Sequence, residues 1–203
     1  MGEETSKSLE QLLIEARACR LCAADLPLGP RPVLRAAPTS RLLIIGQAPG
    51  TKVHESGIPW NDASGERLRD WMGVTDETFY DETKIAILPM GFCYPGRLPR
   101  GGDAPPRPEC APAWHPPLME SLPDVRLTLL VGQYAQGRYL AGQKAKTLTE
   151  TVRNFAAYGT GVIPLPHPSW RNTAWMKKNP WFESDLLPVL RARVASILKS
   201  ARS

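Results

Sequence analysis

Four short apolar runs set the strongest limit on what this chain can fold into. They are Arg41–Gly46, Ile85–Leu88, Leu127–Gly132 and Val162–Leu165, and Leu, Ile, Val and Ala fill most of their positions. Runs that are apolar on both faces suit strands of a parallel sheet covered on both sides. Helical stretches alternate with them. Ser8 caps a helix to about Ala18 with Leu9, Leu12, Leu13 and Ala16 on one face. Asp62-Ala63-Ser64-Gly65 opens a second with Leu68 and Trp71 inward, and Gln133–Leu140 follows the third strand. Thr147-Leu148-Thr149-Glu150 reads as a capping box, and a last helix runs from about Phe182 to Leu198. This order predicts a three-layer α/β/α fold around a central four-stranded, mostly parallel sheet. There are no repeats, and no linker divides the chain. Residues 1–203 are therefore read as a single domain, with the N-terminal helix and a cysteine pair, residues 8–22, packed on it.

Two connections stand out. After the first strand the chain spends sixteen residues, Gly46 to Asn61, before the next helix begins. Connections in such folds usually take about two to six residues, and longer ones are often functional. Pro166-His167-Pro168-Ser169 follows the fourth strand. Ligands of parallel sheets bind beyond the carboxyl ends of the strands, so both loops are expected to face one crevice.

All four cysteines fall in Cys19-Arg20-Leu21-Cys22, Cys93 and Cys110. A close pair plus two distant thiols reads as a four-thiolate metal site before it reads as disulfides, and spacing alone does not separate iron–sulfur from zinc. Twenty-five Lys and Arg against twenty Asp and Glu give a net charge of +5, a mild pointer to a polyanionic partner. No run of eighteen apolar residues and no signal-peptide pattern occurs, so a soluble cytoplasmic protein with no membrane partner is expected. Met1 to Ser6 satisfies the loose myristoylation pattern, with nothing else pointing to a membrane.

Taken in order, these pieces resemble the uracil-DNA glycosylase superfamily, most closely its iron–sulfur branch, often called family 4. The residues that carry the resemblance are Cys19/Cys22, Gly46-Gln47-Ala48-Pro49-Gly50, Gly57-Ile58-Pro59-Trp60, Cys93/Cys110 and His167-Pro168-Ser169. The resemblance runs from about Cys19 to Leu198. The resemblance implies a monofunctional DNA repair enzyme. It would flip deaminated bases, chiefly uracil, from single- or double-stranded DNA and hydrolyse the N-glycosidic bond to leave an abasic site. It implies a [4Fe–4S] cluster on Cys19, Cys22, Cys93 and Cys110, with one Zn²⁺ as the alternative. A monomer associated with a bacterial nucleoid is expected.

Roles carry over residue by residue. Backbone N–H groups of Gln47 and Ala48 would hold the O2 edge of the base, Gly50 would leave room, and Trp60 would stack on it. His167, with Gln47 beside it, would stabilise charge on the leaving base. Ser169, Trp170, Arg171, Asn172, Lys177 and Lys178 would contact DNA, with a Trp or Arg wedge and lysines for phosphates.

Two departures matter. Pro89 stands where family 4 has an Asn that reads the uracil edge, which leaves a backbone group near Met90 or Gly91 as the substitute. Ala48 stands where the superfamily's best-known loop has a water-positioning Asp. Asp62 is the nearest replacement, and it reads equally as an N-cap. Two other classes compete. A non-catalytic DNA-binding metal-cluster module would use the cysteines and lysines but not His167. A nucleotide enzyme would use Gly46–Gly50 as an anion loop but lacks the Lys and Ser/Thr of a P-loop.

Overall fold

The computed structural model describes residues 7–199, so the myristoylation pattern at Met1–Ser6 lies outside the described residues. The chain runs through helix α1 (Leu9–Arg17), strand β1 (Leu42–Ile45), α2 (Thr51–Ser56), α3 (Ala63–Met72), α4 (Asp76–Tyr80) and β2 (Ile85–Ile87). It continues through α5 (Cys110–Glu120), β3 (Leu127–Val131), α6 (Gln133–Tyr139), α7 (Leu148–Arg153), β4 (Val162–Leu165), α8 (Thr173–Lys178) and α9 (Leu187–Lys199). A π-helical turn at Phe182–Leu186 leads into α9.

The strands form one sheet in the order β2-β1-β3-β4, with every pair parallel. Leu42 and Ile44 of β1 enter a core with Leu68, Trp71 and Met72 of α3 and Leu190 and Val194 of α9. Leu43 and Ile45 enter the opposite core with Leu12, Leu13 and Ala16 of α1 and Leu118 of α5. The alternation of side chains along a strand therefore feeds both helical layers, giving the expected three-layer α/β/α architecture. Each fully buried Leu, Ile or Phe contributes about 1.5–3 kcal/mol. An exposed pair such as Lys7–Glu15, at 2.7 Å, belongs to a class worth about 0–1 kcal/mol. Burial against the sheet therefore decides the fold. Pro164 pairs with Leu130 from the edge strand β4, where a missing N–H on the open side costs no ladder bond.

Caps define helix ends where the sequence marks them. Ser8 accepts from Gln11 N, and Thr147 accepts from Glu150 N, each completing a capping box. One expectation needs correction. The connection Gly46–Asn61 is not structureless, because α2 lies within it, ended by Gly57 at φ 70°. A further helix, α5, which no sequence pattern announced, begins at Cys110, although Pro112, Pro116 and Pro117 lie along it. Pro112 sits in the first turn, where a missing N–H is tolerated, and burial of His115 and Leu118 offsets the rungs lost farther on.

β1 lies between β2 and β3, so the chain leaves β1 in one direction and returns to its other side. Such a switch point opens a crevice at the carboxyl ends of the strands.

Candidate active site

That crevice holds a cavity of about 270 Å³. Gln47, Ala48 and Gly50 reach it from the end of β1, Trp60 and Asp62 from the approach to α3, and His167 from the end of β4. Ser169, Trp170 and Arg171 line its rim. The two unusual loops therefore meet, as their strand ends require.

The Gly46–Gln47 turn is tied from behind. Met90 N donates to Gly46 O and Gly91 N donates to Gln47 O, each at 3.0 Å. Among the described residues neither the Gln47 nor the Ala48 N–H is spent on a backbone partner. The same bonds correct the substitute for the edge reader. The N–H groups of Met90 and Gly91 hold the turn, and Met90 packs on the core beside α1 and α5 rather than lining the cavity. Pro89 does line it, and its carbonyl accepts from His115 Nε2–H at 3.0 Å. That bond fixes the tautomer, so His115 Nδ1 accepts from the Tyr139 hydroxyl. Burial pushes the pKa of His115 down to about 4. His115 thus buttresses the cavity wall from inside the core.

Trp60 sits on a constrained stretch of backbone. It is the one non-glycine residue with positive φ among the described residues, at 58°. Its carbonyl accepts from Arg69 Nη1 at 3.3 Å and from the Tyr80 hydroxyl at 3.4 Å. Arg69 is buried, and its charge is met by Asp76 at 2.6 Å. Two glycines make room: a Cβ on Gly65 would stand 1.7 Å from Trp60 O, and one on Gly46 would stand 2.7 Å from the indole. The indole lies 5.7 Å from the His167 ring, centroid to centroid, tilted by 33°. That separation is an ordinary aromatic contact with no space for a third ring between them. Trp60 and His167 therefore form one continuous wall against which a planar base can lie.

The His167 loop is held at both ends. Asn172 Nδ2 donates to His167 O at 2.6 Å, and Arg67 Nη1, from α3, donates to Ser169 O at 2.9 Å. Asn172 is thus a positioning residue for His167 and does not line the cavity. Burial holds the His167 pKa below the ordinary histidine value, against an upward pull from Asp62 and Asp103. The imidazole is neutral near pH 7. Asp62 is indeed the N-cap of α3, accepting from Gly65 N at 2.8 Å through Oδ1, and it also lines the cavity.

Several residues at the cavity were not legible in the sequence. Asp103, Gly102 and Arg97 enter from the segment between Cys93 and Cys110, and no local pattern marked them as wall-forming. Lys177 and Lys178 are exposed at the end of α8 and stand apart from the cavity lining. His54 is half-buried, packs on Tyr94 at 5.9 Å, and also lies outside the lining.

The four cysteines line a second, smaller cavity of about 10 Å³. Trp114 Nε1 donates to Cys19 Sγ and Phe92 N donates to Cys110 Sγ, each at 3.3 Å. Burial, with repulsion from the other thiols, pushes the Cys93 pKa up to about 11 and the Cys110 pKa up to about 12. Arg107 borders this cavity and pairs with Asp25 at 3.0 Å and Glu109 at 2.9 Å. Among the described residues no three His, Cys, Asp or Glu side chains are gathered closely enough to hold a metal ion as they stand. The donor set suits a metal, and the N–H···S bonds suit thiolates. The spacing of the thiols in this structure does not by itself fit a metal.

The parallel α/β fold thus places an aromatic and imidazole wall at its switch point. Residues 35–191 match the family model of the uracil DNA glycosylase superfamily, and the chain belongs to that superfamily. It is thus a DNA glycosylase, a hydrolase of DNA repair with DNA as its partner. The match begins after Cys19 and Cys22.

Proposed function

We propose that this DNA glycosylase removes uracil first and other deaminated bases second, leaving an abasic site without cutting the strand. The observation that carries the reading is the single cavity in which the Gln47–Ala48 turn, Trp60 and His167 converge from three separate elements. A flipped base lying on Trp60 gains stacking of about 1–3 kcal/mol. The free N–H groups of Gln47 and Ala48 suit its O2 edge. Departure of the base leaves negative charge on the ring, and neutral His167 donates to it as it develops. The Asp62 carboxylate has one oxygen beyond its cap bond, available to orient the attacking water and to offset positive charge on the sugar.

Selectivity follows from what the wall lacks. Pro89 offers no side-chain hydrogen bond, and its carbonyl is already engaged by His115. Shape alone discriminates by roughly 10–200-fold, whereas a dedicated hydrogen-bonding site reaches about 10⁴ or more. Hypoxanthine or xanthine is therefore removed measurably, and most readily where pairing is already weak. Both single and double strands serve as substrate, and the protein acts as a monomer.

Cys19, Cys22, Cys93 and Cys110 would hold a [4Fe–4S] cluster, whose role here is structural: it would fasten the start of the chain to the segment that brings Asp103 to the cavity. Metal binding to such a segment acts as folding energy. One zinc is the alternative, and the small void means that a cluster needs more opening than a single ion does. Metal analysis of fresh protein decides between them, with about four irons per chain expected for the cluster. The substrate reading is tested with a panel of single-lesion oligonucleotides under single-turnover conditions. Discrimination above about 10⁴ against every base but uracil would mean that another group reads the base edge.

A further inference from the structure

We propose that the hairpin carrying Leu98 is a second DNA-engaging arm, which works against the Trp170–Arg171 arm when the enzyme acts on duplex DNA. The inference rests on the DNA glycosylase reading. The hairpin lies between Cys93 and Cys110. Arg97 and Asp103 form an antiparallel bridge, Leu98 N donates to Gly102 O at 2.9 Å, and Ala104 N donates to Gly96 O at 2.8 Å. Its tip, residues 97–101, is exposed throughout. Gly101 and Gly102 turn the chain at φ 84° and 91°, values open to glycine and rarely to other residues.

Large exposed apolar side chains are few among the described residues. Leu98 is 46% exposed and Trp170 is 76% exposed, and their neighbours Arg97 and Arg171 both line the cavity. The two arms touch across the opening: Arg171 Nη1 lies 2.7 Å from where a Cβ on Gly102 would be. Leu98 does not line the cavity and has no core to fill, so neither catalysis nor folding accounts for it. Extruding a nucleotide from a duplex breaks stacking, and proteins offset this by inserting an apolar side chain into the step. Leu98 is of the right kind, and Arg97 and Arg100 beside it supply the charge that a phosphate backbone demands. A single strand has no paired stack to refill, so the contribution of Leu98 is specific to the duplex.

The test is fluorescence anisotropy with the whole protein, using a duplex that contains an abasic-site analogue and the same strand unpaired. Leu98→Ala is expected to weaken duplex binding relative to single-strand binding by about tenfold, the scale of losing most of one buried Leu side chain. Arg100→Gln is expected to flatten the slope of log affinity against log salt by about 0.9, the value of one phosphate contact. Ile14→Ala, which truncates an even more exposed side chain on α1, should move neither quantity. An unchanged duplex-to-single-strand ratio for Leu98→Ala overturns the proposal. If no base is released from any substrate while the ratio still shifts, the substrate reading falls and the arm stands. If excision is robust and the ratio is unmoved, the arm alone falls.

Discussion

Gly65→Ala tests whether the strained seat of Trp60 matters to the chemistry. The new Cβ would stand 1.7 Å from Trp60 O, 2.6 Å from its carbonyl carbon and 2.9 Å from its Cβ. Side-chain Cβ atoms essentially never approach other heavy atoms within 3.0 Å, so Trp60 O must retreat by at least 3.0 − 1.7 = 1.3 Å. The obstruction is backbone, which cannot swing aside like a side-chain end. Retreat also breaks the bonds to Arg69 and Tyr80, and it tilts the indole away from His167. A misplacement of about 1 Å costs on the order of 10²-fold in rate. The expected stability loss is about 1–3 kcal/mol, as for other overpacked sites. The assay is single-turnover base release at a temperature where circular dichroism shows the variant folded. Gly137→Ala is the control, because a Cβ there meets nothing within 4 Å. It should leave activity intact and stabilise α6 by roughly 0.5–1 kcal/mol. A folded Gly65→Ala enzyme within threefold of the parent would refute the idea that this seat positions the wall.

Other substitutions separate roles that share a residue. His167→Ala is expected to lose on the order of 10²–10³-fold in rate, with abasic-site binding changed far less, by single-turnover kinetics and anisotropy. Asp62→Asn keeps a good helix cap but removes the charge, so the melting temperature should hold while the rate falls on the order of 10²-fold. A fall in both would return Asp62 to a purely structural role. Acid should destabilise the fold through His115, whose pKa is about 4 in the folded chain against an ordinary value of 6.5. The unfolded chain binds the proton first, so stability is full above pH 6.5 and declines as pH falls toward 4, by about 3 kcal/mol in total. Denaturant titrations of the parent and His115→Gln across that range measure it, and equal slopes would exclude the histidine.

The sheet was legible because its strands are buried on both faces and leave continuous apolar runs. Val162–Leu165 agrees at both ends, and the other three strands lose only flanking residues. Caps at Ser8 and Thr147 were legible because hydroxyl and amide partners recur at fixed spacing. Helix α5 was hidden by its prolines, whose cost is offset by burial that no local pattern displays. The site was legible where it sits at strand ends, as at Gln47 and His167, because a parallel sheet gathers those ends. Met90 was misplaced because sequence does not reveal that its N–H is used to hold Gly46. Asp103 and Arg97 escaped notice because a glycine hairpin carries them to the cavity.

The most direct measurement of the central claim is release of uracil from an end-labelled oligonucleotide under single-turnover conditions, read before and after alkali. The expected result is an intact strand before alkali and a break at the uracil position after it, first order in time. An oligonucleotide that stays alkali-stable with uracil at excess enzyme would contradict it.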